Sequence, residues 1–319
     1  MRPARSGGES RVAGNILSQI RKALSTLNPA EVREIADRPA RMVLHANSEQ
    51  SYREMEAFFV PDSLSERRRE KIFASLYRAT DPRAPVSAEI ELYEQGIIHA
   101  PTGFTFYSYD PAGTVREILT ARPELDLALA RTFAPFRAPV VADTIGKVST
   151  ANGWFSVVTA LPNIVPSPLL VPWAVGEFAS DSAVLTANQI RMAFLIAAAS
   201  GHPVGFQEQR SQIASIIAAA FGWRAIAREA VGKIPFGGGV IPKAAIAYAG
   251  TWVIGKSFER FYRMGYAYTE SERKSAFKEA FERGKCILSA LLQRHREQTP
   301  RSHHVDEELA RQVVIKQGD

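Results

Sequence analysis

A glycine- and alanine-rich segment between residues 219 and 262 constrains this fold more than any other part of the chain. It places three consecutive glycines, Gly237 to Gly239, between Pro235 and Pro242, with alanine-rich arms on both sides. Glycine tolerates the positive φ angles of tight turns, and small side chains let neighbouring helices approach closely. The segment therefore predicts a closely packed helical hairpin, and its few reactive side chains argue against an active site there.

Short motifs in and before this segment carry a family resemblance. They are FGWRA at 221–225, GGG at 237–239, IPK at 241–243, AYAGT at 247–251 and YR at 262–263, with TALPN at 159–163 and LTANQ at 185–189. In these residues the chain resembles a bacterial family of helical domains, the domain-of-unknown-function 697 family. Members of that family often follow Era-like GTPase domains or belong to membrane-associated accessory proteins, and no reaction is established for the domain. The resemblance covers roughly residues 139–265 and implies an accessory role beside a separate GTPase, with no catalytic residue to transfer.

Length and charge set the outer limits. The chain has 319 residues, enough for two domains or one large one, and its 39 basic and 33 acidic residues give a net charge of +6. The excess is modest and spread along the chain, which argues against nucleic-acid binding. The densest basic patch, Arg67–Arg69 with Lys71, predicts a solvated helix face, although an anionic membrane surface or an acidic protein would use the same charge.

The cysteine content and the N-terminus bear on the cellular compartment. Cys286 is the single cysteine, which excludes an internal disulfide, and its place on an apolar helical stripe predicts a small core residue. The N-terminal MRPARSGGES has basic residues with no apolar run behind them, unlike a secretory signal. We expect a cytoplasmic protein that associates with membranes at most through docking or insertion of its helices.

The fold class predicted is α+β: a small α/β layer with about three strands, then a mainly α-helical C-terminal domain. Strands are predicted at Arg41–Ala46, Ala88–Glu94 and Phe104–Tyr109. Helices are predicted after a capping box at Asn28–Glu31, through Tyr52 to Phe59, and from a second capping box at Ser63–Glu66 to about Arg78. The predicted division is an N-terminal segment at 1–27, the α/β layer at 28–136, the helical domain at 137–297 and a polar tail at 298–319.

Two stretches bear on nucleotide binding. A GTPase domain would place a glycine-rich phosphate loop after the first strand, but His45–Gln50 contains no glycine and no lysine, and Glu49 would repel a phosphate. A Walker-A spacing does occur at Gly250, Gly255, Lys256 and Ser257. Its intervening residues are bulky and the preceding residues are alanine-rich, so the run reads as one continuous helix, with a cofactor-binding loop as the alternative.

The helical half also has a membrane alternative. No charged residue occurs between Val148 and Gly176, which is long enough to span a bilayer, but four prolines interrupt the stretch. A helix ending near Leu161 and a proline-rich corner fit better. Further helices are predicted at about 177–200 and 270–296, the second with an apolar stripe. A soluble helical bundle is the main interpretation, and membrane insertion through helical hairpins is the alternative.

Polar residues within the apolar half are the remaining site candidates. Glu177, Asp181 and Asn188 share one helix face, so the two carboxylates could do acid–base work or hold a cation. The structural alternative is a polar network in which these residues pair across helices, because buried charges need partners. The candidates for this network are Glu177, Asp181, Asn188, Gln189, Arg191, Arg224, Arg228 and Lys243.

The sequence thus offers no convincing catalytic constellation, metal site or cofactor. Its six histidines show no metal-ligand spacing with acidic residues or cysteine. We expect a non-catalytic accessory or scaffold module that docks on a protein partner, with a GTPase as the candidate, or on a membrane. The sequence leaves the oligomeric state open.

Overall fold

The computed structural model describes residues 24–160, 181–218 and 239–298, together with residues 18 and 22. A parallel four-stranded sheet lies in the N-terminal part, and helices follow it, so the predicted α+β class is confirmed. The strands are β1 Met42–His45, β2 Leu76–Arg78, β3 Ile90–Glu94 and β4 Phe104–Phe106. The helices are α1 Pro29–Ala36, α2 Glu49–Phe59, α3 Glu66–Phe73, α4 Pro111–Ala121, α5 Asp126–Thr132, α6 Ala134–Val158, α7 Asp181–Ala199, α8 Val240–Met264 and α9 Glu270–Gln298.

The sheet has the strand order β2-β1-β3-β4, and every neighbouring pair is parallel. Met42 on β1 is in register with Leu76 on β2 and with Ile90 on β3. Short apolar runs suit such a sheet, because helices cover its faces and the side chains on both sides are removed from water. Helices α2, α3 and α4 pack against the sheet, on β1, β2 and β4 respectively.

Strand β2 corrects the sequence prediction, which continued the preceding helix to Arg78. Helix α3 ends at Phe73, and the chain then runs along β1, with the amide of Met42 donating to the carbonyl of Ser75 at 2.8 Å and that of Ala79 to the carbonyl of Leu44 at 2.8 Å. Three residues are too few to show a strand period in the sequence. Pairing with β1 selects the extended conformation here, because strand preference depends on the partner more than on the residues themselves.

The predicted Asn28 cap is confirmed with a different partner, whereas the second predicted capping box, Ser63–Glu66, does not form because α3 begins only at Glu66. Asn28 caps α1, but its side chain accepts from the amide of Ala30 at 3.0 Å rather than from that of Glu31. Ser65 precedes α3 without a side-chain capping bond. The carboxylate of Glu31 turns away from the cap and contacts Arg191 on α7, because a partly buried guanidinium offers it a stronger partner than an exposed amide does.

Two packed regions form the core of the helical part. Helix α8 packs most extensively against α6 and α9, and Trp154, Tyr248 and Leu288 are almost fully buried where the three helices meet. A larger apolar cluster runs without interruption from the sheet into α6 and α7. The predicted boundary at residue 137 falls in the first turn of α6, so the two predicted domains share this cluster.

Several predictions for the helical half can be compared directly. Helix α6 ends at Val158, close to the predicted end near Leu161, and α9 covers the predicted final helix. The proline-rich corner at 162–172, most of the glycine turn and the polar tail lie outside the described residues. Cys286 is exposed rather than part of the core, because the buried stripe of α9 passes through Gly284 and Leu288 instead.

Among the described residues, one helix window is long and apolar enough to cross a membrane, Ser182–Ala199 in α7. Most of this window is buried inside the structure. A core helix of a water-soluble bundle has the same length and composition, so this finding is weak support for a membrane span.

Candidate functional site

The carboxyl edge of the sheet is where parallel α/β folds usually bind ligands, at the point where strand connections leave in opposite directions. In the order β2-β1-β3-β4 this point lies between β1 and β3. The residues there are His45 at the end of β1, Tyr93 and Glu94 at the end of β3, and the start of α2 after Ser48.

A carboxylate of the protein itself neutralises the N-terminus of α2 at this edge. Glu94 accepts from the backbone amide of Asn47 at 2.8 Å and from the hydroxyl of Ser51 at 2.6 Å. These hydrogen bonds, the first of them foremost, hold the pKa of Glu94 below its usual value. Helix N-termini attract anions, and here the anion is a side chain. A phosphate at the same place would be repelled by Glu94 and by the nearby Glu49, and the repulsion by Glu49 is predicted from the sequence.

An aromatic stack lies beside Glu94. The Tyr93 ring stacks on His45 with centroids 4.1 Å apart and on His99 with centroids 4.7 Å apart. The Tyr93 hydroxyl donates to Glu91 at 2.6 Å, and burial, reinforced by this bond, raises the pKa of Tyr93 to about 12. The Nε2 atom of His45 is buried without a hydrogen-bond partner among the described residues. No pattern in the sequence indicates this stack, because its members come from β1, β3 and the loop after β3.

The stack leads to a prediction about pH. Burial lowers the pKa of His45 from its ordinary 6.5, although the neighbouring Glu91 opposes the shift. The folded state therefore binds a proton less readily than the unfolded state, so stability is present above about pH 6.5 and is lost as the pH falls towards the folded pKa. A His45→Phe variant keeps the ring stack and lacks the titrating group. Over this pH range we expect its free energy of unfolding to fall less than that of the wild type. The difference between the two proteins should change by at most about 1.4 kcal/mol per pH unit.

The measurement is urea unfolding of both proteins at a series of pH values. His202 also has a lowered pKa and acts in the same direction, so the difference between the two proteins isolates His45. Parallel stability curves would contradict the prediction.

A buried polar network joins α6, α7 and α8. The Asn152 amide donates to the hydroxyl of Thr251 at 2.9 Å, and its carbonyl oxygen accepts from Asn188 at 2.7 Å. Gln189 donates to Thr251 at 3.0 Å, and Thr251 donates to the carbonyl of Ala247 at 2.9 Å. The sequence predicted Asn188 and Gln189 as network members but missed Asn152 and Thr251, because uncharged residues on separate helices gave no periodic signal.

The other predicted members do not join this network in the described residues. Arg191 instead contacts Glu31 on α1 at 3.4 Å, and Lys243 is exposed on the first turn of α8. Glu177, Arg224 and Arg228 lie outside the described residues, as does the side chain of Asp181. The predicted pair of carboxylates on one helix face therefore stays a prediction.

The Walker-A spacing lies inside α8, which confirms that Gly250–Ser257 forms one continuous helix. A Cβ atom on Gly255 would come within 2.8 Å of Ile145 on α6, so this glycine serves close helix packing. Lys256 contacts Glu259 at 2.6 Å and lies over the ring of Trp252. In a helix the amides bond to carbonyls one turn earlier, whereas a phosphate loop must turn several of them towards the ligand.

A cationic pocket lies at the opposite, amino-terminal end of β1 and β2, where the sheet meets the helical part. It is a cavity of about 450 Å³. Six cationic side chains and one carboxylate line it. They are Arg38, Arg41, Arg68, Lys71, Arg131 and Arg137, with Asp37 as the carboxylate.

Only some of these charges are neutralised. Arg41 forms a bidentate pair with Glu89, with a shortest contact of 2.7 Å, and Arg131 pairs with Asp37 at 2.9 Å. Within the described residues, no carboxylate lies within ion-pair distance of Arg68, Lys71 or Arg137. The pocket therefore keeps an excess of positive charge after its internal pairs are formed.

Two of these unpaired groups converge on one point. The Nη2 atoms of Arg68 and Arg137 lie 3.5 and 3.9 Å from the position that a Cβ atom on Gly201 would take. Gly201 has a φ of 77°, which disfavours any side chain at this point. Burial, and then the charge of Arg68, lower the pKa of Arg137, and burial with the three nearby arginines lowers the pKa of His202.

The sequence predicted only part of this pocket. Arg67–Arg69 with Lys71 was interpreted as a solvated face, and Arg69 does pair with Asp62 at 3.1 Å on the surface of α3. Arg67, Arg68 and Lys71 are exposed as predicted, and Arg68 and Lys71 also line the pocket. Arg137 and Gly201 come from distant parts of the chain, so only the tertiary fold brings them beside α3.

A larger cavity of about 670 Å³ lies between α1, α5, α6 and α7. Its lining mixes Asp126, Asp143, Lys147 and Arg191 with apolar side chains. Burial raises the pKa of Asp126. Lys147 pairs with Asp143 at 2.6 Å and Arg191 contacts Glu31, so the charges here are largely compensated. In the described part of the chain, no group of three His, Cys, Asp or Glu side chains could hold a metal ion.

Comparison with known proteins adds no family to these observations. No family model matches the chain, and no curated protein or solved structure matches it. The resemblance to the domain-of-unknown-function 697 family therefore rests on the motifs alone and stays a prediction.

Proposed function

We propose that this chain is a non-catalytic accessory module that docks in the cytoplasm on an acidic surface of a protein partner. The observation that carries the proposal is the cationic pocket, where Arg68, Lys71 and Arg137 have no carboxylate partner among the described residues. A cluster of one charge sign steers a partner of the opposite sign and orients it. A partner carboxylate would supply what the pocket lacks.

Two arrangements support binding rather than catalysis. At the ligand edge of the sheet, Glu94 already neutralises the N-terminus of α2. At the centre of the helical part, Asn152, Asn188 and Thr251 bond to one another, which suits holding three helices together. The helical network contains amides and a hydroxyl, with no carboxylate or imidazole among them to act as a general base. At the sheet edge the Ser51 hydroxyl does donate to Glu94, but that carboxylate also holds the amide of Asn47.

The family resemblance supports a GTPase as the partner, supplied by a separate protein. An anionic membrane is the rival partner, because lipid headgroups attract the same cations. The mostly buried position of α7 supports peripheral contact in that case rather than insertion of this helix.

The proposal predicts a salt-sensitive assembly that depends on the pocket. In gentle extracts at low salt, we expect the native protein to sediment in a soluble complex and to be released at high salt, because exposed charges are screened. The double variant Arg68→Glu/Lys71→Glu should bind about tenfold more weakly or worse, since like charges would then face each other across the interface. Sedimentation of the extracts at both salt concentrations measures this.

A matched control carries the same change in net charge elsewhere. Arg273 and Lys278 are exposed on α9 and form no ion pair among the described residues. The Arg273→Glu/Lys278→Glu variant should sediment like the wild type. A monomeric wild-type protein at low salt would contradict docking on a protein, as would recovery in a membrane pellet that resists a sodium carbonate wash.

Nucleotide binding through Gly250–Ser257 is the rival function from another class. Its test is titration of the purified protein with GTP and ATP, beside the Lys256→Ala variant. Saturable binding that disappears in this variant would overturn the accessory-module proposal.

A further inference from the structure

We propose that the cationic pocket binds the phosphate group of a small soluble ligand, a phosphomonoester or inorganic phosphate, between Arg68, Lys71 and Arg137. This inference rests on the proposed function in that it uses the same pocket, so the phosphate ligand and a partner carboxylate would compete for these cations. The inference and the proposed function can be tested separately, because phosphate binding is a property of the purified chain and docking needs the partner.

The first argument is chemical. A guanidinium group presents several N–H donors in a plane that matches two phosphate oxygens, and an ammonium group adds a compact charge. The pocket offers two guanidinium groups and one ammonium group, from Arg68, Arg137 and Lys71. Arg131 and Arg41 are already paired with Asp37 and Glu89. These ion pairs leave Arg68, Arg137 and Lys71 as the cations that a ligand could neutralise.

The second argument is electrostatic. The heads of Arg68 and Arg137 approach the same point beside Gly201 without a carboxylate between them. Arg137 is partly buried, so its repulsion by Arg68 is screened less than repulsion between two fully exposed cations would be. The carbonyl oxygen of Arg131 lies 3.8 Å from the same point. A dianion bound beside this point, clear of the Gly201 backbone and of that oxygen, would remove the repulsion and would interact with both groups at once.

Stabilisation of helix C-termini is another possible reason for cations at this place, and it accounts for only some of them. The Nε atom of Arg137 donates to the carbonyl of Ala130 at 3.1 Å, and Arg131 donates to the carbonyl of His202 at 3.0 Å. Cations placed so stabilise the carbonyl ends of helices. Arg68 and Lys71 have no side-chain hydrogen bond to a carbonyl among the described residues, so helix capping does not use them.

The third argument is shape. A cavity of about 450 Å³ is within the range of small-ligand sites, and it is larger than a phosphate group alone requires. Glycine at position 201 leaves the point between the two guanidinium groups without a side chain. The remaining volume, bordered by Ile72 and Pro39, could take the carbon skeleton of a small phosphomonoester.

The test is calorimetric titration of the purified full chain with inorganic phosphate and with ribose 5-phosphate, against sodium chloride at equal ionic strength. We expect saturable binding at one site in the wild type. Arg68→Gln should weaken it about tenfold or more, because a hydrogen-bonded charge pair is lost, and Arg68→Lys should weaken it less. Arg68 is exposed on α3, so these variants are expected to fold. Arg273→Gln on α9 is the control and should bind like the wild type.

A second measurement reports the site itself. His202 feels Arg68, Arg137 and Arg131, which help to lower its pKa. Saturating phosphate should raise the pKa of this imidazole in the wild type, as followed by nuclear magnetic resonance, and chloride should not. Equal binding by Arg68→Gln, or no saturable binding, overturns the proposal.

A lipid source is distinguished by vesicles. Binding to vesicles that contain a phosphoinositide, without binding to either soluble ligand, overturns the assignment to a small soluble ligand. If phosphate binding fails while the salt-sensitive assembly still depends on Arg68 and Lys71, the proposed function stands and this inference falls.

Discussion

Replacing Asn152 with leucine is expected to lower the free energy of unfolding by about 3 kcal/mol, because it removes the shared partner of several buried polar groups. Asn152 is fully buried, and it bonds to Asn188, Thr251 and the carbonyl of Leu185. Leucine has the same number and branching of side-chain heavy atoms as asparagine, so the loss would come from unpaired polar groups and not from a cavity. Urea unfolding followed by circular dichroism measures it.

Helix α6 provides the control three residues earlier. Ser149 is as deeply buried as Asn152, but its hydroxyl has no hydrogen-bond partner among the described residues. Ser149→Ala should therefore leave stability nearly unchanged or raise it slightly. The double variant Asn152→Leu/Asn188→Leu should recover part of the loss, since both sides of one bond are then apolar. A neutral Asn152→Leu variant would mean that the network contributes nothing to stability.

Replacing Gly153 with leucine is expected to lower the free energy of unfolding by about 3 kcal/mol or more, because it overfills the contact between α6, α8 and α9. A Cβ atom at Gly153 would already lie 2.8 Å from Leu288 and 3.2 Å from the Cβ atom of Tyr248. A Cβ atom at Gly284 on α9 would likewise lie 2.8 Å from the Tyr248 ring. These two glycines make room for a large, buried aromatic side chain.

The control is another glycine of α6. Gly146 has no heavy atom within 4 Å of its would-be Cβ atom, so Gly146→Leu should be tolerated and should gain up to about 1 kcal/mol from helix preference. Thermal unfolding of the two variants side by side measures the contrast. Equal stability of Gly153→Leu and Gly146→Leu would contradict close packing at Gly153.

These two predictions concern the scaffold, and the two functional proposals concern its surface. The buried network and the glycine contacts fix α6, α7, α8 and α9 relative to one another. Arg137 lies in the first turn of α6, and Gly201 follows the end of α7. The geometry of the cationic pocket therefore depends on how these helices pack, even though two of its exposed cations, Arg68 and Lys71, belong to α3.

The sequence predicted best where neighbours along the chain decide the structure. The Asn28 cap, the strand around Met42–His45 and the continuous helix through Gly250–Ser257 all follow from local residue preferences. It predicted poorly where a distant partner decides. Strand β2 depends on pairing with β1, and the exposure of Cys286 depends on which face of α9 packs against Tyr248.

The candidate site divides in the same way. The sequence identified the basic run at Arg67–Arg69 and the polar residues Asn188 and Gln189 as unusual for their surroundings. It could not identify Arg137, Asn152 or Thr251 as their neighbours. Hydrogen bonds between helices, and charges brought together from distant residues, leave no pattern in neighbouring residues of the sequence.

By itself, then, the sequence determined the fold class, the helical character of the described residues after residue 137, and the lack of a phosphate loop after the first strand. These properties depend on backbone preferences and side-chain size, which each residue carries with it. The tertiary structure alone decided that Glu94 neutralises the N-terminus of α2 and that Arg68 and Arg137 meet beside Gly201. Such contacts join residues far apart in the chain, and electrostatic interactions depend on distance in space, not on position in the sequence.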